Sequence, residues 1–431
     1  MATASDVVRS GGARRSVAFL ERLFSGYEGG AFAVRLSDGS SWSSNPALEP
    51  RFRIVLRHEG ALRSMFWPPG ELSLSEAFVF GDFDVEGDLE AVFPLADFLL
   101  VERPPGRVER LGLARQLLAL PGAHRDRPTR PQARLHGRRH SLERDRAAVG
   151  FHYSRSNEFF ALFLDPRMVY SCAYFDREDT ALAAAQEAKL DLVCRKLRLR
   201  PGERLLDIGC GWGGLVLFAA ERYGVEALGI TLSEAQVELA RERIEQAELG
   251  DRCRVELLDY RELDEPAFDK AVSVGMFEHV GEELLAEYFA RVASSLREGG
   301  VFLNHGIARA GSSAPRRGPS FLDRYVFPDG ELAPIATTLA AAERAGFEVR
   351  DVENLREHYT LTLRHWLRRL EAHSREAIAA VGEPTYRVWR LYLAGSAYGF
   401  ETGRVGVYQT LLVKPDRGKS GLPLTRADWY R

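Results

Sequence analysis

Cysteine is scarce in this chain: Cys172, Cys194, Cys210 and Cys253 are the only four in 431 residues. None forms a CxxC pair or sits at metal-ligand spacing, so neither a disulfide scaffold nor a metal site is expected, and a reducing compartment is. No uninterrupted apolar run is long enough to span a bilayer. The N-terminal MATASDVVRSGGARRS lacks the apolar core of a signal peptide. An excess of one charge is missing too. The 58 Lys and Arg stand against 61 Asp and Glu, a net charge of −3, so no bulk attraction to nucleic acid is expected. No internal repeat is found. What remains is ordinary globular composition, 45% apolar and 28% charged, at a length that suits two or three domains.

The chain is organised around Arg204 to Gln236, RLLDIGCGWGGLVLFAAERYGVEALGITLSEAQ. Leu205 to Ile208 suits a buried parallel strand. Gly209-Cys210-Gly211-Trp212-Gly213-Gly214 is a glycine-rich turn, Leu215 to Tyr223 a helix, and Ala227 to Ile230 a second strand. This is the opening half of a nucleotide-binding α/β sheet, in which glycines let backbone approach a ligand and the helix turns its free N–H groups to the same spot. A dinucleotide, NAD(P) or FAD, is one reading. S-adenosylmethionine (SAM) is favoured. Asp207 stands just before the first glycine, where a carboxylate suits a cationic sulfonium ligand. The motif is the compressed D-x-G-x-G-x-G. No Walker lysine follows.

Taken in order, residues 1–120 read as a small α+β domain without obvious chemistry. Phe32, Val34 and Leu36 alternate into an Asp38-Gly39 turn, and Phe52, Ile54 and Leu56 alternate in a second strand. Ser73 to Phe80 is expected to be a helix, Gly81 to Leu89 an acidic turn, and Leu111 to Leu120 a closing helix. Residues 121–146 read as a linker with eight arginines, three histidines and three prolines against three acids. It is either a solvated spacer or a contact for anionic lipid headgroups, each basic residue contributing about 1 kcal/mol. Residues 147–415 are the α/β domain. Ser233 to Leu249 is expected as a helix with a Ser233/Gln236 capping box. Strands are expected at Arg254–Leu258, Lys270–Gly275, Val301–His305, Phe347–Val352 and Val405–Val413, with a helix over Glu282–Leu296. Tyr359–Ala380 and Tyr386–Glu401 are amphipathic. Residues 416–431 read as a polar tail. The fold class is α/β: a seven-stranded, mostly parallel, Rossmann-like sheet of the class I SAM methyltransferase kind, with a smaller N-terminal α+β domain.

Several blocks carry a resemblance. HYSRSNEFFALFLDPRMVYSCAYF (His152 to Phe175), GITLSEAQ (Gly229 to Gln236) and GMFEHVG (Gly275 to Gly281) are three. FLDRYVFPDGEL (Phe321 to Leu332), HYTLTLRHW (His358 to Trp366) and VWRLYLAGSAYGFETGRVGVYQ (Val388 to Gln409) are three more. With the earlier GDFDVEGDLEAVF, they cover nearly the whole chain, and the whole resembles the cyclopropane-fatty-acyl-phospholipid synthases, the mycolic acid cyclopropane synthase-like family. One departure stands out. The family usually has HYDLGN where this chain has His152-Tyr153-Ser154-Arg155-Ser156-Asn157, at the mouth of the cofactor site, which leaves the product open.

The resemblance implies transfer of the SAM methyl to the cis double bond of an unsaturated phospholipid acyl chain. An alkene is a weak nucleophile, and a sulfonium methyl is a strong enough electrophile for it. The resulting carbocation needs only a weak, close base in a dry site, and the family uses bound bicarbonate. By motif matching, Cys172, Glu278, His305 and Tyr359 would hold that ion, with backbone near Val274. Tyr170 and Ser171 would join Asp207, Gly209, Gly211 and Gly213 at SAM, Thr231 and Gln236 would take the ribose, and Tyr260 and Arg261 would border the adenine. His279 and His152 are read as supporting residues. Phe159, Phe160, Phe163, Tyr174, Phe175, Phe321, Tyr325 and Phe327 are read as core, some lining an acyl tunnel. Alternatives are a methylene-branched product from the same first step, a small-molecule N-methyltransferase, and a non-catalytic lipid-binding protein. A cytoplasmic enzyme held at the inner face of an anionic membrane is expected, with homodimers possible in the family.

Overall fold

The computed structural model describes residues 11–102, 106–122, 135–153, 156–311 and 320–430. Residues 123–134 of the arginine-rich linker and two positions of the departing motif, Ser154 and Arg155, lie outside the described residues. The chain divides into two compact units. The first comprises Met1–Gln132, Gly318–Val326 and Gly382–Tyr398, and the second Ala133–Arg317, Phe327–Val381 and Gly399–Arg431. The first unit therefore takes in two later segments that a linear reading assigns to the α/β domain. Among the described residues no helix is long and apolar enough to cross a membrane.

The first unit is built on four strands, β1 (Ala33–Arg35), β2 (Ser41–Ser43), β3 (Phe52–Leu56) and β4 (Phe83–Gly87), in the order β2-β1-β3-β4. The Asp38-Gly39 turn forms: Gly39 has φ +86°, and Asp38 accepts hydrogen bonds from the Ser40 amide and hydroxyl. Phe32 stacks on Phe52 at 5.5 Å between ring centres. The expected acidic turn over Gly81–Leu89 instead contains β4, antiparallel to β3. Phe83 and Val85 are buried, and the intervening Asp84 and Glu86 meet Arg57, Arg53 and Arg35. Period-two burial with paired acids overrides the turn-like composition.

In the second unit the seven strands are β5 (Arg204–Ile208), β6 (Glu226–Thr231), β7 (Cys253–Leu257), β8 (Phe268–Val274), β9 (Leu296–Arg309), β10 (Glu348–Asn354) and β11 (Val405–Val413). They pair in the order β10-β11-β9-β8-β5-β6-β7. Only β11 runs against its neighbours. Alternation puts Leu205 in the apolar layer with Val216, Val225 and Ala240, and Leu206 in the opposite layer with Phe289 and Phe302. Strand order reverses at β5, and the carboxyl ends of β5 and its neighbours open a crevice there. The helix after β6, Glu234–Gln246, starts without the expected capping box, because the Ser233 side chain makes no cap and Gln236 pairs with Thr231. The tail is not purely polar. Trp429 is buried in the first layer, under the cationic groups of Lys196 and Arg198.

Candidate active site

A pocket enclosing about 1170 Å³, part of it open to solvent, lies at the β5 switch point. Its floor is the turn after β5. Gly209 has φ +82°, and a Cβ there would fall 2.7 Å from the Met276 Cβ. Gly213, at φ +75°, caps the helix Gly214–Tyr223 from the left-handed region. Only glycine holds both positions without strain. The Gly209 and Cys210 amides donate to the Ile230 carbonyl at 2.9 and 3.0 Å, tying the turn to β6.

Tyr170, Ser171, Asp207, Gly209, Gly211, Thr231, Gln236, Tyr260 and Arg261 all line this pocket; Gly213 does not, and faces Ala240 and Val255 instead. Thr231 Oγ1 donates to Gln236 Oε1 at 2.6 Å, leaving the Gln236 amide nitrogen as a donor. Tyr260 stands edge-on to Tyr288 at 5.4 Å. Arg261 is not free to meet a base. Its guanidinium binds both oxygens of Asp259, then Asp145 at 2.9 Å and the His140 carbonyl at 3.1 Å. It thus fastens the segment before the helix Leu142–Tyr153, and Asp145 and Val149 of that helix line the pocket. The part of the linker reading that falls on 142–146 is therefore helix and pocket wall.

Trp212 and Lys189 also line the pocket and were missed in the sequence. Trp212 Nε1 donates to Asn157 at 2.7 Å, and its ring packs on Phe160 at 4.9 Å. Lys189 belongs to the buried face of the helix Leu182–Leu197, shared with Ala185, Gln186 and Val193. A lysine and glutamine one turn apart on an apolar helix face was the signal available.

None of the four candidate catalytic residues lines the pocket, but backbone links bring them together beside it. Val274 pairs with His305 across β8 and β9, and His305 with Gln409 across β9 and β11. Gln409 Nε2 donates to His305 Nδ1 at 3.2 Å, which leaves the proton on Nε2. Glu278 Oε1 accepts from the Ile307 amide, two residues on, at 2.8 Å. The Cys172 thiol faces the Leu355 carbonyl at 3.7 Å, and the Tyr359 amide donates to that same carbonyl. The Tyr359 ring packs on Phe400 at 4.7 Å. Among the described residues, three buried polar atoms of this cluster have no partner: Glu278 Oε2, His305 Nε2 and Gln409 Oε1. His152 is placed in the helix Leu142–Tyr153 without a described side chain. His279 lines the pocket.

Burial dominates the electrostatics. It raises Glu278 to about 7, against the pull of the Ile307 amide. It raises Asp207 to about 7, with Lys189 pulling the other way. It drives His305 well below its ordinary range, helped by Lys189 and Lys196, and lowers His279 to about 4. The Cys172 thiol is pushed up, so it stays protonated. At neutral pH the cluster offers the His305 Nε2–H and a Glu278 carboxyl near its midpoint as donors, with Gln409 Oε1 as an acceptor, while the Cys172 thiol is turned to the Ala173 and Leu355 carbonyls at 3.2 and 3.7 Å.

Comparison with known proteins gives the family. Residues 140–410 match the family described as mycolic acid cyclopropane synthetase. A probable fatty acid methyltransferase of Pseudomonas putida is 42% identical over 403 residues, 92% of this chain and 96% of its own. Cyclopropane mycolic acid synthase 3 of Mycobacterium tuberculosis is 39% identical over 277 residues, 62% of this chain and 96% of its own. The solved mycolic acid cyclopropane synthase CmaA1, complexed with SAH and CTAB, superposes with a TM-score of 0.60 at 38% identity, covering 62% of this chain and 98% of that one. The chain therefore belongs to the mycolic acid cyclopropane synthetase family of SAM-dependent methyltransferases.

Proposed function

We propose that this enzyme transfers the SAM methyl to the cis double bond of an unsaturated phospholipid acyl chain and closes a cyclopropane ring. The observation that carries the reading is the set of unpartnered buried atoms on Glu278, His305 and Gln409 beside the cofactor pocket. A buried polar atom without a partner costs about 1–3 kcal/mol, so such a group calls for a ligand. Bicarbonate fits the donor set. His305 Nε2–H, the Cys172 thiol, protonated Glu278 and the Tyr359 hydroxyl would hold it, and when bound it supplies a weakly basic oxygen in a dry site. A solved relative complexed with SAH and the long-chain alkylammonium CTAB supports a substrate with one long alkyl chain.

The alkene π electrons attack the sulfonium methyl, and sulfur leaves with the bonding pair as a neutral thioether. Positive charge then rests on the neighbouring carbon. Loss of a proton from the new methyl, with its bonding pair closing on the cation, makes the ring. Asp207, the glycine turn, Thr231 and Gln236 orient the donor. The half-buried Tyr170 lines the pocket with the fully buried Phe160 and Phe163 packed on it, and such rings exclude water and favour a cation. In this reading the first unit docks the enzyme on an anionic bilayer.

The test is incubation with SAM and an oleoyl phospholipid, followed by mass spectrometry and proton NMR of the fatty esters. A gain of one CH2 with upfield ring protons is expected. The same gain with vinyl protons assigns the methylene-branched product. No gain overturns the lipid reading and points to an N-methyl acceptor or a non-catalytic role.

A further inference from the structure

Lys189 is the unusual residue of the site. Its side chain is 2% exposed, yet it lines the cofactor pocket. Its Nζ donates to Ser171 Oγ at 3.0 Å. One turn earlier on the same helix, Gln186 is fully buried and donates to the Ser171 carbonyl at 2.8 Å and the Val169 carbonyl at 3.4 Å. The two side chains clamp the segment that carries Tyr170 and Ser171 into the pocket and Cys172 into the neighbouring cluster. The charged and titratable groups around Lys189 are Asp165, Asp207, Cys172, Cys194 and His305. Asp165 already accepts from the Arg167 and Val169 amides, both at 2.9 Å.

We propose that Lys189 is a positioning residue of the methyl-transfer site: it is buried in the same pocket as Asp207, where its ammonium favours the carboxylate over the neutral acid for the cationic cofactor, while its hydrogen bond fixes Ser171 against the same ligand. A buried carboxylate without a nearby cation takes up a proton and loses its attraction for a sulfonium or ammonium group. Lys189 opposes the burial of Asp207, which still stands near 7, and burial brings Lys189 itself down to about 8. The same ammonium acts on Cys172 and His305, so one side chain joins the donor pocket to the anion cluster. This inference rests on the assignment of the pocket to SAM.

The experiment is calorimetric titration of SAM, without lipid, into the full-length protein and its Lys189→Met, Lys189→Arg and Asp207→Asn variants between pH 6 and 9. The amino group of SAM titrates identically in every case, so differences between proteins are the readout. Wild-type affinity is expected to fall below a midpoint near 7, and Asp207→Asn to lose that midpoint. Lys189→Met, near in length and uncharged, is expected to move the midpoint up by about one unit or more, and Lys189→Arg to leave it in place. An unmoved midpoint in Lys189→Met overturns the proposal, as does an equal shift in Lys189→Arg, or an Asp207→Asn profile like the wild type. Lys189→Gln takes the place of the methionine variant if that does not fold, and a wild type with no midpoint overturns the proposal without any variant. Failure of the wild type to bind SAM at any pH sinks the pocket assignment itself, a result distinct from all of these.

Discussion

Glu278 holds two roles that pH separates. One oxygen is anchored on the Ile307 amide and the other is bare. Burial raises its carboxyl from 4.5 to about 7. Between those values the folded protein keeps a proton that the unfolded chain has released. The stabilising contribution is thus complete below pH 4.5 and is lost as pH rises through 7, a change of about 3 kcal/mol. Glu278→Gln keeps the anchor and removes the titration. Denaturant unfolding at a series of pH values should show a shallower loss of stability in the variant, with the Asp207 share remaining. Methyl transfer should drop by about 100-fold or more. A variant with wild-type pH dependence would contradict the buried, titrating Glu278. The candidate residues were legible because GMFEHVG and the other motifs are contiguous in sequence. That Arg261 is engaged by Asp259 and Asp145 was not, since Asp145 lies 116 positions away.

Among the elements, β4 shows how charge hides a strand. Its core-facing Phe83 and Val85 are outnumbered by acids and glycines in the GDFDVEGDL stretch. The acids are tolerated because arginines meet them. Arg387 is the buried one: its guanidinium donates to the Phe78 and Phe83 carbonyls, both at 2.6 Å, and to Asp84 at 3.1 Å. Arg387→Ala would leave two buried carbonyls and a carboxylate without that partner. A loss of about 3 kcal/mol is expected, read as a lower unfolding midpoint of the first unit. Arg57→Ala, which removes an exposed partner of Asp84, should cost less than about 1 kcal/mol. Equal losses in the two variants would mean that burial of Arg387 does not matter. The capping box at Ser233 teaches the same lesson in reverse. The local pattern was present, but Gln236 has a buried partner in Thr231 and turns to it.

For the whole molecule the question is how a protein with no spanning helix among its described residues reaches a lipid chain. The first unit exposes Leu111 at 73% and Leu118 at 49% on one helix, with Val101 at 67% just before it. Leu111 and Leu118 are two turns apart and so share a face, with the exposed Arg115 between them. Such a face suits an anionic bilayer. Leu111→Glu combined with Leu118→Glu is expected to cut sedimentation with anionic vesicles at least about fivefold, with SAM affinity unchanged. Equal binding of wild type to neutral and anionic vesicles would remove the electrostatic part of the docking.

By itself the sequence determined the sheet and the family. The D-x-G-x-G-x-G turn, the two hydrophobic periods and the long contiguous motifs are local signals, set by backbone sterics and by which side chains alternate. The tertiary structure alone decided which polar groups are buried and what they face. Lys189, Asp145, Gln409 and Trp212 come from separate stretches, and each becomes part of the site only when packing removes its water. Burial is a property of the neighbours that close over a residue, and those neighbours lie tens to hundreds of positions away.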